Sequence, residues 1–402
     1  MRLKDFSVLN PQYKGESLDC EVSFVPMESL RNGAIDYQDI PFAEGKGKYT
    51  YFQDGDLLVA KVTPCFENGN IAIANNMKQG VGFGSSEIFV LRMNDKVLNT
   101  YMFYITQTAK FQEGACATMC GVGGLKRISP LFMRTYEFDI PSLSKQQRIV
   151  DYLDAKLGKI DARIAILEKQ QDAYARLKRS VIHHAVTRGL DPNVFLKDSG
   201  VEWIGMIPKH WELQRFKSIF TECKSVTETG QEDLLSVSEY YGVARRIDKM
   251  EDGKYESRAD SLVGYKVCKK DDLVINIMLA WKRGLGFSDF DGIVSPAYAV
   301  YRGKDIAPHY FHYLMRTDMY VAEYKRNSKG IIDSRLRMYT DRFNNIIAIV
   351  PPLSEQQAIA AYLDEKCSKI DAATENIGKQ IDALKRLKRA LINEVVTGQR
   401  AV

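Results

Sequence analysis

The feature that most constrains this 402-residue sequence is an internal repeat. The segment 141–188 recurs as 351–398 at a constant offset of 210 residues, without a gap, and 25 of the 48 aligned positions are identical. Such a repeat indicates that a structural unit has been duplicated, and it sets the order of the whole chain. The stretches before the two copies, 1–143 and 211–353, are equal in length although their sequences diverge.

Each copy of the repeat predicts one long helix, because apolar residues recur every seven positions over four heptads. Ser144 and Ser354, each followed three residues later by a glutamine, predict a capping box at the two helix starts. A helix of about 43 residues would be roughly 65 Å long, and its apolar seam needs a partner. The nearest candidate is the other copy; the alternative is that each stripe packs onto its own globular core. The predicted seam residues are Leu153, Ile160, Leu167, Tyr174, Val181, Leu363, Ile370, Ile377, Leu384 and Leu391.

The domains before the helices share landmarks, such as Asp56-Leu-Leu-Val59 with Asp272-Leu-Val-Ile275. Short apolar runs cut by Gly, Asn and Asp predict mixed β structure with a few helices. The predicted fold class is α+β, with two similar mixed α/β domains separated by two long antiparallel coiled-coil helices. The predicted boundaries are a first domain at 1–143, a first helix at 144–188, a linker at 189–210, a second domain at 211–353 and a second helix at 354–402.

Composition narrows the class of protein only a little. Lys and Arg exceed Asp and Glu by 56 to 51, and this mildly basic balance permits nucleic-acid binding without requiring it. Seven scattered cysteines indicate reduced thiols in a cytoplasmic protein. No apolar run approaches the roughly 18 residues of a membrane span, and no signal-peptide core follows Met1. Cys116 and Cys120 lack a second Cys or His pair, so no metal site is predicted.

Sequence patterns for catalysis are also missing. Gly121-Val-Gly-Gly124 lacks the spaced third glycine and the strand-to-helix setting of a nucleotide loop. No Asn-Pro-Pro-aromatic sequence, expected of an adenine methyltransferase, is present. Asp154-Ala-Lys156 and Asp364-Glu-Lys366 resemble the acid-x-Lys end of a nuclease site, but on the predicted helices they are expected to be solvated charges. We therefore predict no catalytic residue and no cofactor, which disfavours a single-chain nuclease or methyltransferase.

Two loops just upstream of the helices, 118–127 and 328–337, combine glycine with basic and hydroxyl residues. Glycine lets backbone approach a phosphate closely, and lysine and arginine supply the charge. A second pair of regions, 61–65 and 276–283, matches in position, and two adjacent tyrosines follow a predicted strand. The predicted DNA-binding residues are Lys61, Thr63, Thr118, Gly121, Gly123, Lys126, Arg127, Tyr240, Tyr241, Asn276, Trp281, Lys282, Ser328, Lys329, Gly330, Ser334, Arg335 and Arg337. The alternative for each is an ordinary polar surface loop.

Paired helices behind two divergent domains of equal size resemble the plan of Type I restriction–modification specificity (S) subunits. The amino-acid sequence also resembles that family at Pro351-Pro-Leu-Ser-Glu-Gln-Gln357, at Tyr362-Leu-Asp364 and at the linker motif Ser199-Gly-Val-Glu-Trp-Ile-Gly-Met-Ile-Pro-Lys-His-Trp211. The resemblance covers essentially the whole chain. The helices and the linker carry it, whereas each domain alone is only suggestive.

This resemblance implies two target-recognition domains, each of which reads one half of a bipartite site in double-stranded DNA. The helices would set the unread spacer and dock two methyltransferase (M) subunits, which carry S-adenosylmethionine and modify adenine; restriction (R) subunits are a further partner that it leaves open. Two half-sites about one helical turn apart, roughly 34–36 Å, suit such a plan. The alternative from a different class is a coiled-coil adaptor whose two domains bind proteins, which needs no basic face.

Overall fold

A computed structural model describes residues 1–122, 124–246, 248, 261–332 and 335–402. The chain divides into two compact units. Unit 1 comprises Met1–Glu168 and Gly378–Val402, and unit 2 comprises Lys169–Ile377. Each unit therefore combines one of the two domains with parts of both long helices. None of the helices within the described ranges is long and apolar enough to span a bilayer.

Unit 1 contains two four-stranded sheets. Its strands are β1 (Ser7–Leu9), β2 (Glu21–Val25), β3 (Leu30–Arg31), β4 (Ala34–Ile35), β5 (Gln38–Pro41), β6 (Thr50–Gln53), β7 (Leu57–Ala60), β8 (Ile71–Ile73), β9 (Val81–Gly84), β10 (Ile88–Met93), β11 (Cys120–Val122) and β12 (Leu125–Arg127). One sheet has the antiparallel order β1–β10–β7–β8, and the other has the order β5–β2–β9–β6 with β2 and β9 parallel. Strand β7 is buried along its whole length, as its unbroken apolar run requires.

The helices of unit 1 follow the sheets and cover them. They are α1 (Phe42–Gly45), α2 (Asn99–Thr106), α3 (Ala109–Ala117) and α4 (Pro130–Thr135), and the long helix α5 (Leu143–Arg188) begins in this unit. Residues from α2, α3, α4 and the start of α5 share one hydrophobic core with β7 and β10. That core also contains Leu391, Ile392 and Val395 from the end of the chain. The C-terminal part of the last helix is therefore an integral part of unit 1.

Unit 2 is built from short strands around a further four-stranded sheet. Its strands are β13 (Leu196–Asp198), β14 (Met206–Pro208), β15 (Glu212–Arg215), β16 (Phe220–Glu222), β17 (Leu235–Ser238), β18 (Gly242–Arg245), β19 (Lys266–Cys268), β20 (Asp272–Asn276), β21 (Leu285–Phe287), β22 (Gly292–Val294), β23 (Tyr298–Gly303) and β24 (Ile347–Val350). Its helices are α6 (Phe216–Ile219), α7 (Pro308–Met315), α8 (Asp318–Asn327), α9 (Thr340–Phe343) and the start of α10 (Leu353–Val396). The sheet has the antiparallel order β16–β23–β20–β21.

This sheet of unit 2 repeats the sheet β1–β10–β7–β8 of unit 1 in strand order and direction. The same ion pair, between a buried aspartate and a partly exposed arginine, stabilises both sheets. The guanidinium of Arg92 donates to both carboxylate oxygens of Asp56 at 2.8 and 2.7 Å, and Arg302 donates to Asp272 at 2.8 and 2.9 Å. Because the two aspartates are the landmarks shared by the sequences, the duplication includes the domains as well as the helices. The predicted fold class is confirmed.

Helices α5 and α10 begin at Leu143 and Leu353, so Ser144 and Ser354 lie inside the first turn. The predicted capping boxes are therefore wrong. A buried glutamine organises each helix start instead. Gln356 accepts a hydrogen bond from the Ala307 amide at 2.9 Å and donates to the Pro351 carbonyl at 2.8 Å. In unit 1, Gln146 makes the equivalent pair with Leu98 and Pro141, both at 2.9 Å.

Replacing Gln356 with leucine should lower the free energy of unfolding of unit 2 by about 2–4 kcal/mol, because two buried backbone groups lose their partners. Chemical denaturation followed by hydrogen exchange within unit 2 measures the change. Gln357, the exposed neighbour, is the matched control, and Gln357→Leu should leave stability within about 0.5 kcal/mol. Equal effects of the two substitutions would show that the buried hydrogen bonds do not hold the helix start.

The two long helices run antiparallel, as contacts within unit 2 show. Gln171 of α5 donates to the carbonyl of Thr374 in α10, while Lys178 lies 2.7 Å from both carboxylate oxygens of Asp371. Unit 1 contains the equivalent ion pair, with Lys388 at 2.7 Å from both oxygens of Asp161. Such exposed pairs contribute only about 0–1 kcal/mol each, so their main effect is to select the helix register.

The predicted seam residues follow the contact stripe of the two helices. Six of them are buried, namely Leu153, Leu167, Leu363, Ile370, Ile377 and Leu391, and Ile160, Tyr174, Val181 and Leu384 are half-buried. Further buried residues, Leu157, Ile164, Cys367 and Ile381, stand between them. From Leu153 to Leu167 these positions alternate in steps of four and three, the spacing of a heptad seam, and elsewhere polar residues such as Gln171 and Thr374 occupy the alternate places.

Candidate nucleic-acid interface

In unit 1 the structure brings the two sequence-predicted regions together. Strands β11 and β12 form a hairpin (the first hairpin, 120–127), and Val62 pairs with Arg127 beside it. The Thr63 hydroxyl donates to the carbonyl of Gly124 at 2.7 Å and accepts from the Lys126 amide at 3.0 Å. The segment around Thr63 is thereby joined to the first hairpin by both backbone and side-chain hydrogen bonds.

Two basic side chains at the base of this hairpin are held by the protein. Arg127 makes a two-bond contact with Glu87 at 2.8 and 2.9 Å, and these hydrogen bonds hold the pKa of the Glu87 carboxyl below its usual range. The Lys61 ammonium lies 4.8 Å from the centre of the Phe89 ring, and burial lowers the pKa of its amine. Lys126 is exposed on β12. The hairpin thus presents the charge of Lys126 next to exposed backbone, while the charge of Arg127 is paired with that of Glu87.

Unit 2 has an equivalent arrangement. Lys329 and Arg337 pair through two backbone hydrogen bonds of 3.0 and 2.9 Å and close the second loop, 329–337. The Met338 amide then donates to Ile277 at 2.8 Å, as Ile128 donates to Lys61 at 2.9 Å in unit 1. Lys329, Arg335 and Arg337 are exposed. The second loop is therefore attached to the region of Asn276 as the first hairpin is attached to Lys61.

The segment after β20 forms a tight turn that displays an aromatic side chain, and we call it the Trp281 turn, 276–284. It is closed by hydrogen bonds from the Asn276 amide to Gly284 at 2.9 Å and from the Gly284 amide to Leu279 at 2.8 Å. The ammonium groups of Lys282 and Lys325 lie 5.0 and 5.3 Å from the centre of the Trp281 ring. A half-buried indole with two ammonium groups close to its ring combines an aromatic surface with positive charge, the two features that single-stranded bases and phosphates bind.

Arg316 joins the Trp281 turn to the turn between β17 and β18, which we call the tyrosine turn, 239–241. One of its terminal nitrogens donates to the carbonyls of Arg283 and Leu285 at 2.8 and 2.7 Å. The other donates to Glu239 at 2.8 Å and to Tyr240 at 3.2 Å. Burial lowers the pKa of this guanidinium to about 10, so it remains charged at neutral pH. Four carbonyl oxygens replace the water that its charge has lost.

Not all predicted residues present their side chains to solvent. Thr118 and Ser328 end helices α3 and α8, where their hydroxyls donate to the carbonyls of Ala115 and Tyr324, both at 2.8 Å. Asn276 is buried, and its carboxamide oxygen accepts from the Met278 amide at 3.1 Å. Their side chains support the loops from within. Gly123 and Ser334 lie outside the described residues. The remaining predicted residues that are exposed or half-buried are Lys61, Thr63, Gly121, Lys126, Arg127, Tyr240, Tyr241, Trp281, Lys282, Lys329, Gly330, Arg335 and Arg337.

Sequence reasoning missed Arg316 and Lys325. Arg316 stands directly after α7, where the first domain has Gln107 directly after α2, so duplication gives no signal for it. Lys325 lies on α8, more than forty residues along the chain from Trp281, and no short motif relates the two positions. Their roles depend on packing between elements that are distant in sequence.

The acidic residues suspected of nuclease chemistry hold the domains to the helices. Asp154 accepts a hydrogen bond from the Tyr104 hydroxyl, and Asp364 accepts one from Tyr313 at 2.8 Å. Burial together with these carboxylates raises the pKa of both phenols, so each hydroxyl remains a donor at neutral pH. Within the part of the chain that the structure describes, no group of three or more His, Cys, Asp or Glu side chains could hold a metal ion.

Comparison with known proteins agrees with this arrangement. Residues 14–173 match the family "Type I restriction modification DNA specificity domain". The EcoEI specificity subunit of Escherichia coli is 34% identical over 152 residues, which are 37% of this chain and 26% of that protein. The chain thus spans about a quarter of the length of this relative. The MjaVIII specificity subunit of Methanocaldococcus jannaschii is 22% identical over 96% of this chain and 87% of its own.

Solved structures share the fold along the whole chain. One similar chain comes from a structure of the type I R-M system that describes its complex assembly and conformational transition. The two chains superpose with a TM-score of 0.73 over 100% of this chain and 97% of the other, at 14% sequence identity. The HsdS subunit from Thermoanaerobacter tengcongensis superposes with a TM-score of 0.54, covers 100% and 96%, and is 16% identical. Residues 14–173 are thus similar to the DNA specificity domain of Type I restriction–modification systems, and the whole chain, with its duplicated helices and its two equivalent sheets, shares the fold of these solved structures.

Proposed function

We propose that this chain reads DNA sequence as the specificity subunit of a Type I restriction–modification complex in the cytoplasm, and that it carries no catalytic site. The domains at 1–143 and 211–353 each read one half of a bipartite target. The helices at 144–188 and 354–402 set the length of the unread spacer, and 189–210 is the linker. One observation carries the proposal. Each unit presents a basic loop at the equivalent position, and a backbone hydrogen bond joins the end of that loop to a second predicted region, from Ile128 to Lys61 in unit 1 and from Met338 to Ile277 in unit 2.

The exposed residues suggest a division of labour between the backbone and the bases of DNA. Lys126, Lys329 and Arg335 stand on loops where backbone groups are also exposed, and they suit phosphate contacts that fix the register of each domain. The Trp281 turn and the tyrosine turn carry aromatic and polar groups that suit contacts with bases. Sequence would then be read in the second domain by two turns that Arg316 holds together.

The helices also suit the docking of two methyltransferase subunits. Leu177 in unit 2 and Leu387 in unit 1 are equivalent in the repeat, and 48% and 51% of these residues are exposed. Each of these leucines is a single apolar residue on a solvent-exposed helix face, and it is their repetition at the same place in both copies that suits a repeated partner contact. Because each copy of the repeat offers the same face, two copies of one partner can bind in the same way.

Mapping methylated adenine across the genome of the source cell, with and without this gene, tests the proposal. Loss of one split motif, with two short specific halves around an unread spacer, supports it and identifies the target. If the map is unchanged in cells that express the protein, and the chain purified with its partner subunits shows no sequence-specific DNA binding, the adaptor function replaces the proposed one.

Inserting one heptad into each helix, after Lys169 and after Lys379, should lengthen the spacer and leave both half-sites unchanged. Seven helical residues add about 10.5 Å, which corresponds to roughly three base pairs. Both positions lie at the division between the two units, so the insertions leave the core of each unit intact. Methylation mapping of the variant gives the new spacer directly. Altered bases within a half-site would contradict the ruler function of the helices.

A further inference from the structure

Both candidate DNA loops end in aliphatic side chains that project into solvent. On the first hairpin, Val122 is 90% and Leu125 is 54% exposed, and we call this pair the first tip. On the second loop, Ile331 is 100% and Ile332 is 54% exposed, and we call this pair the second tip. Exposed apolar residues scattered singly are ordinary on protein surfaces, but two on one short loop form a small apolar patch.

The two tips occupy equivalent places in units whose domain sequences have diverged. Each loop is followed by a hydrogen bond that fixes its base, from Ile128 to Lys61 in unit 1 and from Met338 to Ile277 in unit 2. Val122 and Ile332 are also separated by the 210-residue offset of the repeat. Only Val122 and Ile332 stand at equivalent positions, and the residue types differ between the tips, while both tips are apolar and exposed. Two occurrences of this combination indicate a contact that both domains make.

The backbone beneath each tip is tightly closed. A Cβ atom on Gly121 would lie 2.2 Å from the carbonyl oxygen of Leu125, and one on Gly330 would lie 2.6 Å from that of Arg335. Only glycine fits at these approaches. In the first hairpin, Thr63 adds two hydrogen bonds across the turn. The tips therefore project from anchored loop bases, which reduces the entropy lost when they bind.

The surroundings of the tips indicate what covers them. Lys126 and Arg127 flank the first tip, and Lys329, Arg335 and Arg337 flank the second. An apolar point on a loop that also carries exposed basic residues complements DNA, in which thymine methyl groups and base faces lie between two rows of phosphates. Aliphatic side chains are known to enter DNA grooves and to wedge between base steps.

We propose that the two tips insert into the DNA of their half-sites and bury their aliphatic side chains against bases, on a thymine methyl group or on the face of a base at an opened step. This inference rests on the proposed function, because it assigns a contact to the loops that read DNA. It adds an apolar component to an interface that otherwise offers charge and hydrogen bonds. Each tip acts within its own half-site.

The test uses the full chain assembled with its methyltransferase subunits, carrying Val122→Ser with Leu125→Ser, or Ile331→Ser with Ile332→Ser. Each double variant should bind the cognate duplex about tenfold more weakly or worse, because the buried aliphatic surface is lost. Binding to unrelated DNA and the midpoint of thermal unfolding should stay unchanged, because these side chains are exposed in the free protein. Leu131→Ser is the matched control, since this leucine is also exposed, at 66%, but lies on α4 outside the hairpin.

Two modified duplexes distinguish the kinds of base surface. Uracil in place of thymine in a half-site removes the methyl group, and 2-aminopurine reports unstacking by its fluorescence. A response in either that the wild-type complex shows and the double variant lacks supports the proposal. Unchanged affinity of the double variants for the cognate duplex overturns the proposal. It is also overturned if the double variants, without DNA, assemble with the methyltransferase subunits as poorly as they bind the duplex. If the wild-type complex itself shows no preference for any duplex, the proposed function fails as well, which separates the two outcomes.

Discussion

Replacing Arg316 with methionine should lower discrimination among bases of the second half-site by roughly tenfold or more, because the correct placement of base contacts supplies about that much selectivity per base pair. Methionine matches the arginine stem in length but cannot donate to the four carbonyls that join the Trp281 turn to the tyrosine turn. Stability should fall by at most about 2 kcal/mol, because removing a half-buried charge offsets part of the lost hydrogen bonding.

Methylation of duplexes with single mismatches in either half-site, by the assembled complex, measures this effect. The first half-site is an internal control, because Arg316 lies in unit 2. Gln107→Met is the matched control variant, since Gln107 ends α2 as Arg316 ends α7, and its carboxamide donates only within its own helix, to Phe103. Hydrogen exchange in 236–245 and 276–285 should rise in the Arg316 variant alone. Unchanged discrimination at the second half-site would show that other contacts place the two turns.

Replacing Ile392 with aspartate should unfold much of unit 1 and abolish reading of the first half-site. Ile392 is buried in the core of unit 1 beside Leu391 and Val395, together with residues of α5 such as Leu153. A carboxylate there loses the apolar contacts and lacks a partner for its charge, and the expected cost is about 4 kcal/mol or more. Unit 2 contains no residue beyond Ile377, so its structure should persist.

Hydrogen exchange measured separately in the two units distinguishes this outcome from general unfolding. The control is Arg389→Asp, which introduces the same carboxylate one turn earlier at an exposed position and should change stability by less than about 1 kcal/mol. If Ile392→Asp raises exchange equally in both units, the two units unfold together. If it raises exchange in neither, the end of α10 is not needed for the core of unit 1.

The sequence was informative wherever structure is local or repeated. Heptad spacing predicted α5 and α10 almost to their ends, and the shared landmarks Asp56 and Asp272 marked equivalent strands. The helix starts were misassigned because the Ser-x-x-Gln pattern does not distinguish a helix that has Ser144 as its N-cap from a helix that has already begun at Leu143. Gln146, the residue that organises this start, is recognisable only from its burial against the domain.

Contacts between distant segments were beyond such patterns. The sequence predicted both regions of each candidate interface. Their attachment to each other, through Thr63 and through the Met338 amide, depends on how the chain folds back. Arg316 illustrates the limit most clearly, because it interacts with carbonyl oxygens and any residue type supplies those. A side chain that recognises backbone leaves no complementary residue in the sequence to be found.

Unit 1 is formed by two separate stretches of the chain, and this affects when it can fold during synthesis on the ribosome. Residues Met1–Glu168 emerge before unit 2, but the segment that completes their core, Gly378–Val402, emerges after it. At roughly 5–20 residues per second, the 209 intervening positions take about 10–40 s to translate. Unit 2, contiguous from Lys169 to Ile377, can fold during that interval. Unit 1 is thus completed only after the whole of unit 2 has been synthesised, and a chain that terminates before Gly378 would carry a complete second unit beside an incomplete first one.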